Sequence, residues 1–313
     1  MPKKLRLNPK ERRLNPFTIK TNDSEYRFLP KAKYSVLGVV VGLFFVANVD
    51  LTHGQSQRFR GGGFESRDLE NDNVTGFPSN EFIFCRIKYD DVPGGGFYGT
   101  PRWSIDYPES DINFSLRITE LTTLKVPKDE NGEYKHALVR LTDEELFNYP
   151  FIYMLEVGSL FFSDSEVESL RKYLLRGGFL MVDDFWGDRE LAHFETQIFR
   201  VLDPNDYDYR ELELDHPIFS CVFEVKEKPQ VPAPHHWLNW GRSYEGGPDT
   251  MTPHYIGIFD KKNDNRLMGI ICHNTDLGDG WEREGMNRAY FEEFSVKKAY
   301  PMGINIVVYA LTH

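Results

Sequence analysis

Gly177-Gly178-Phe179-Leu180-Met181-Val182-Asp183-Asp184-Phe185-Trp186-Gly187 is the stretch on which the reading of the fold turns. Two glycines end a helix, an apolar strand follows, and two aspartates stand where that strand stops. A strand apolar on both faces is what a parallel sheet covered by helices requires. In open sheets of this kind, ligands sit beyond the carboxyl ends of the strands, where loops are free to carry polar groups. Asp183 and Asp184 are therefore read as either a site or a helix-capping turn.

Upstream, Ser163-Asp164-Ser165-Glu166 has the spacing of a capping box, and Val167, Leu170, Tyr173 and Leu174 make one apolar helix face ending at Gly177. Before it, Phe151 to Leu155 reads as a strand, closed by a second acidic strand end, Glu156. Downstream, a helix from about Asp188 to Leu202 carries Leu191, Phe194, Ile198 and Val201 on one side. Alternation of strand and helix at this spacing predicts an α/β fold, a mostly parallel sheet with right-handed crossovers. Further strands are expected at Glu81 to Tyr89, Ala137 to Leu141, Tyr209 to Leu214, Cys221 to Val225, Tyr255 to Phe259 and Leu267 to Cys272. Helices are expected from Asp111 to about Leu124, after Thr142 with a cap and Glu145, and from about Phe294 to Leu311. The long loop from Asp90 to Pro108 has a functional look, with an exposed Trp103.

The chain of 313 residues has the length for a substantial core, and 40% hydrophobic content supports one. Charge is unevenly placed. Residues 1–33 hold ten Lys or Arg against three acids, a balance of +7, so the total of −11 leaves −18 on the remainder. So acidic a body repels phosphate backbones and argues against nucleic acid as a partner. Residues 1–33 are read as a basic cytoplasmic leader. Residues 34–54 form an export signal or membrane anchor, with no charge between Tyr34 and Val49, a run short of the roughly 20 residues of a spanning helix. Residues 55–80 are rich in Gly, Asn, Ser and charge and read as a flexible linker. The expected location is the periplasm or the extracytoplasmic face of a membrane, with membrane contact through 34–49 if the signal stays uncleaved. Cys85, Cys221 and Cys272 show no paired spacing and are read as buried free thiols.

Several clusters could carry chemistry. Asp183 and Asp184 could hold a divalent cation, bind sugar hydroxyls or act as acid and base, with Trp186 as a platform or as packing. Asp215-His216-Pro217 is a turn in which Asp215 could orient His216. His235-His236 lies in a Pro-rich loop and could chelate a metal or point apart. Cys272-His273-Asn274-Thr275-Asp276-Leu277-Gly278-Asp279-Gly280-Trp281-Glu282 is the densest polar patch and a candidate site. The expected lining is Glu156, Asp183, Asp184, Trp186, His216, His273, Asn274, Asp276 and Trp281. Motifs of the common serine hydrolases, P-loop and dinucleotide proteins and zinc proteases are absent from the sequence.

Five segments, 142–158, 165–187, 215–223, 273–282 and 297–313, resemble the bacterial family of domain of unknown function 4159. That resemblance implies an amidotransferase-like α/β domain over 81–313, akin to the trehalose-utilisation (ThuA-like) branch of the class I glutamine amidotransferase-like fold, with a flavodoxin-like sheet. Amidotransferases of that fold place a cysteine on the elbow, where this chain has Asp183 and Asp184, so the thiolate of glutaminase chemistry is missing. The functional expectation is a non-catalytic ligand-binding or assembly domain of the cell envelope, taking a carbohydrate or an envelope protein. The alternative is a metal-assisted or acid/base hydrolase of glycans, using Asp183, Asp184, His273 and His216.

Overall fold

The computed structural model describes residues 17–20, 25–28, 81–96 and 99–313. Phe17–Lys20 and Glu25–Phe28 form a small antiparallel pair within the basic residues 1–33. The signal or anchor segment and the linker lie outside the described residues. Among the described residues, no helix is long and apolar enough to cross a membrane.

The domain is built on a sheet of seven strands: β1 (Phe84–Lys88), β2 (His136–Arg140), β3 (Phe151–Leu155), β4 (Phe179–Asp183), β5 (Asp208–Glu211), β6 (His254–Asp260) and β7 (Arg266–His273). Their order is β2-β1-β3-β4-β7-β6-β5. The pairings from β2 to β7 are parallel, and β6 runs antiparallel to both of its neighbours. β3 and β4 are buried at every position, as their unbroken apolar runs foretold. Since the chain reverses its direction of travel across the sheet between β1 and β3, a crevice is expected beyond their carboxyl ends.

Helices cover both faces. α1 (Glu109–Leu121), α5 (Leu277–Glu282) and α7 (Tyr300–Thr312) pack on one, and α2 (Asp164–Leu175) and α3 (Gly187–Val201) on the other. The capping box of α2 forms as expected, with Ser163 accepting from the Glu166 N–H while Glu166 reaches back to the Ser163 N–H. The last helical run starts at α6 (Arg288–Tyr290), passes through a π-helical segment, Phe291–Ala299, and continues as α7. α4 (Pro234–Trp240) occupies the stretch expected to be a Pro-rich loop, Pro234 standing at the helix start where a missing N–H costs nothing.

Four expectations need correction. Cys221 to Val225 is not a strand, because Asn305 on α7 satisfies its backbone: the Asn305 side chain accepts from the Val222 and Phe223 N–H groups and donates to the Phe223 carbonyl. Cys221 is accordingly exposed, while Cys85 and Cys272 are buried, and all three are free thiols. The segment after Thr142 forms only a short 3-10 turn, Glu144–Asn148, whose flanking Asp143 makes no side-chain cap. Trp103 is buried, with the Lys88 ammonium 5.5 Å from its ring centre.

Trp281 belongs to the core. It is fully buried, stacks on Phe114 at 4.1 Å between ring centres, and packs edge-on to Phe84. Gly303 on α7 exists to admit it, since a Cβ there would come within 2.6 Å of the indole ring. Truncating Trp281 to alanine leaves a cavity that its aromatic neighbours cannot close, and is expected to cost about 3–5 kcal/mol in denaturant unfolding. A cost below ~1 kcal/mol would place the indole outside the core.

Candidate functional site

Four side chains reach the carboxyl edge of the parallel strands through an uncommon backbone state. Glu156 directly follows β3, Asp184 follows β4, Asn274 follows β7, and Asp106 lies in the loop after β1; their φ angles are 52°, 51°, 60° and 61°. Among the described residues, the remaining non-glycine positions with positive φ, Asp264 and Asn265, form the ordinary turn between β6 and β7. Left-handed conformations are costly for residues with a Cβ and persist only where surrounding contacts enforce them. Here they are enforced by a web of main-chain bonds between strand ends. The Glu156 N–H donates to the carbonyls of Asp183 and Asp184, the Asp184 N–H to Thr275, and the Asn274 N–H to Phe185. Asp106, Glu156 and Asp184 are thereby brought within electrostatic reach of one another, while the Asn274 side chain bonds the start of α3.

Asp183, the last residue of β4, is fully buried. Its Oδ2 accepts from the Tyr153 hydroxyl at 3.2 Å and the Gly278 N–H at 3.1 Å, while Oδ1 has no hydrogen-bond partner. Burial pushes its carboxyl up to about 7, and those hydrogen bonds oppose the rise. Asp184 accepts from the Trp186 indole N–H at 3.1 Å and does not cap α3, which starts without a side-chain cap. Asp276 caps α5 by accepting from the Asp279 N–H at 2.6 Å. One carboxylate oxygen each from Asp106, Asp184 and Asp276 lies within 4.8 Å of the other two. A second such group, Asp106, Asp279 and Glu282, shares Asp106 with the first. Burial holds Asp106, Asp184 and Asp276 well above the usual carboxylate range, and their neighbours' negative charge adds to it: Asp279 for Asp106, Glu156 for Asp184, Asp184 for Asp276.

The rim is also acidic. Glu156 pairs with the Arg102 guanidinium, yet burial still lifts it to about 7. Glu245 accepts from the Ala233 N–H at 2.6 Å and is likewise pushed by burial to about 7. Glu282 reaches about 7 for the same reason, beside Arg283, which pairs with both Asp279 and Glu282 at 2.9 and 2.7 Å.

His273 and His216 lie apart from this cluster, while His236 meets its rim at Glu245. His273 is buried with its Nε2 against the Gly187 carbonyl at 3.1 Å, and its ring packs on Phe185 and stacks on His254. Burial lowers it to about 4, which leaves a neutral imidazole at neutral pH. His216 accepts from the Ile218 N–H and packs on Phe259 and Tyr309. Phe259 pairs with Leu267 at the start of β7, so His216 sits at the opposite edge of the sheet from the acids. His236 pairs with Glu245 at 3.5 Å, and the rings of His235 and His236 pack together at 4.2 Å. Asn274 spends its amide on structure, accepting from the Gly187 N–H and donating to the carbonyls of Asp249 and Thr252.

Of the expected lining, the structure gathers Glu156, Asp183, Asp184 and Asp276, with half-buried Trp186 at their side. It places Trp281 in the core, His216 at the far edge, and His273 and Asn274 in supporting roles. Asp106, Glu245, Asp279 and Glu282 join the gathered acids from outside the expected lining. Asp279 and Glu282 were legible as the carboxylates of the patch after β7; Asp106 carried no signal beyond membership of a long loop.

These features define an α/β domain whose parallel strands end in a buried, carboxylate-rich cluster. Residues 84–311 match the family model described as Domain of unknown function (DUF4159), and the chain belongs to that family. A comparison with curated proteins found no match.

Proposed function

We propose that this chain is an exported cell-envelope protein, in the periplasm or on the extracytoplasmic face of a membrane, whose α/β domain binds a polar ligand without transforming it. The convergence of Asp106, Glu156 and Asp184, all held at left-handed φ, two at strand ends and one in the loop after β1, carries this reading. Side chains held in strained backbone are the mark of a site organised for a partner. Ionised carboxylates accept hydrogen bonds and donate none, so the complementary ligand presents hydroxyl or ammonium donors. A carbohydrate fits best, and an envelope protein presenting lysines is the other partner of that chemistry. The order β2-β1-β3-β4, followed by the parallel β7, supports the finer reading of a flavodoxin-like sheet akin to the ThuA-like branch.

The test is thermal unfolding of the full chain across neutral sugars, amino sugars and cell-wall glycan fragments. A ligand binding only the native state at a hundredfold excess over its Kd adds about 2.7 kcal/mol. The shift is expected to vanish in Glu156→Gln, whose side chain lines the rim. Unchanged melting with every member of the panel sinks the reading.

One observation favours glycan hydrolysis instead. Carboxyls held at about 7, as at Asp183, Glu156 and Glu245, are poised to give or take protons at neutral pH. Release of chromophore from aryl glycosides, abolished in Asp183→Asn, would replace binding by catalysis.

A further inference from the structure

We propose that Asp106, Asp184 and Asp276 bind one divalent cation, of the hard, oxygen-seeking kind represented by calcium. This rests on the reading of the strand ends as a ligand site and names the ion through which that site would work.

Three features point the same way. The first is the uncompensated charge. Among the described residues, none of the three carboxylates makes an ion pair with Lys, Arg or His, although the adjoining group of Asp279 and Glu282 has Arg283. Arg283 therefore pairs directly with one half of the acidic cluster, while the other half feels Arg86 and Arg283 only at a distance, through Asp106. The second is Asp106 itself. Its side chain is only 9% exposed, and its Oδ2 has no hydrogen-bond partner. A buried acceptor left without a donor is expensive, and a bound ion is one of the standard ways of satisfying it. That oxygen is aimed at the cluster, for it stands 2.8 Å from the point a Cβ on Gly278 would occupy, with Asp276 Oδ1 at 3.3 Å from the same point. The glycine keeps side-chain bulk out of the space between the carboxylates. The third is the span. Oxygens all within 4.8 Å of one another are close enough for one cation to touch all three, and calcium, at about 2.3–2.6 Å, and magnesium, at about 2.0–2.1 Å, both take oxygen ligands over such a span, so the titration compares the two. With only oxygen donors in the group, zinc and copper lack the nitrogen and sulfur ligands they favour.

Neighbouring groups also hold the carboxylates in place. Asp276 is fixed by the Asp279 N–H and Asp184 by the Trp186 indole. The loop that carries Asp106 is fixed by Arg86, which donates to the Trp103 and Ile105 carbonyls at 3.0 and 2.8 Å. Ligands held in this manner lose little freedom when the ion enters.

The experiment uses the full chain stripped with EDTA, titrated at pH 7.5 with calcium, magnesium and terbium. Calcium is expected to raise Tm, and terbium to show luminescence sensitised by the nearby tyrosine and tryptophan rings. Asp106→Asn is expected to weaken calcium binding at least tenfold, about the scale on which ligand charge sets affinity. The same variant is expected to melt above the parent in EDTA, because it replaces a carboxyl whose ionisation burial and its acidic neighbours oppose with a neutral amide; a variant that had merely unfolded could not do so. No Tm shift and no sensitised terbium in the parent would overturn the site, as would undiminished calcium binding in Asp106→Asn. Repeating the sugar panel in EDTA separates the two readings. A sugar shift that persists without any ion, in a protein that binds none, removes the cation and keeps the ligand-binding role; a calcium shift with no sugar response does the reverse.

Discussion

In EDTA the full chain is expected to unfold at a higher temperature at pH 5 than at pH 8, the reverse of a protein whose acids are all paired. Asp183, Glu156, Glu245 and Glu282 each rise to about 7 on folding, from ordinary values of 3.8 or 4.5. A carboxyl raised in the folded state contributes stability below its unfolded value, and that contribution is lost as pH climbs through about 7. For Asp183 the distance from 3.8 to about 7 corresponds to on the order of 4 kcal/mol, an upper bound because water and relaxation soften burial. His273 acts in the opposite direction. Lowered to about 4, it contributes stability above its ordinary 6.5 and loses it as pH falls toward 4, by on the order of 3 kcal/mol. Four carboxyls outweigh one imidazole, so the net slope is downward between pH 5 and 8. Calorimetry at pH 5, 6, 7 and 8 measures it. A Tm that climbs steadily to pH 8 would mean that these acids enter the folded state already ionised and compensated.

Replacing Arg86 by methionine is expected to cost about 3–5 kcal/mol, because it strands Asp111 as an unpaired buried charge. Arg86 projects from β1 with no exposure and holds both carboxylate oxygens of Asp111 through Nε at 3.1 Å, while Nη2 adds a contact to Ser110 at 2.8 Å. Its remaining donors hold the Trp103 and Ile105 carbonyls, so the loop bearing Asp106 loses its anchor as well. Removing both charges, in Arg86→Met with Asp111→Leu, is expected to regain most of the stability and little of the Asp106 geometry. Urea unfolding of the single and double variants decides this. A single variant within ~1 kcal/mol of the parent would mean that the pair contributes nothing net.

The sheet was legible in the sequence because buried parallel strands leave unbroken apolar runs; Phe151 to Leu155 is such a run and coincides with β3 to the residue. Helix ends were legible where a cap fixed them, as at Ser163 and Gly177. The elbow at Asp183 and Asp184 stood out because two acids rarely follow such a run. Other parts depended on partners distant in the chain. Cys221 to Val225 has a strand's composition, but Asn305 supplies its hydrogen bonds. Trp281 lies among polar residues in sequence, while the short α5 turns it inward onto Phe114. Asp106 is set by Arg86, twenty residues upstream, which no local pattern encodes. His273 ends its strand beside the acidic patch, yet its ring turns away toward Phe185 and Gly187.

The left-handed turns at the strand ends carry a further meaning for how this protein can change. Asp and Asn tolerate that conformation better than other residues with a side chain, and glycine adopts it freely. Glu156 has neither advantage, so a glycine there would relax the backbone while erasing a carboxylate from the rim. Selection for thermal robustness alone would thus drift toward a sturdier chain with a blank crevice. Retaining the acids means carrying a standing tension in the fold, and whatever the crevice holds is what makes that tension worth keeping.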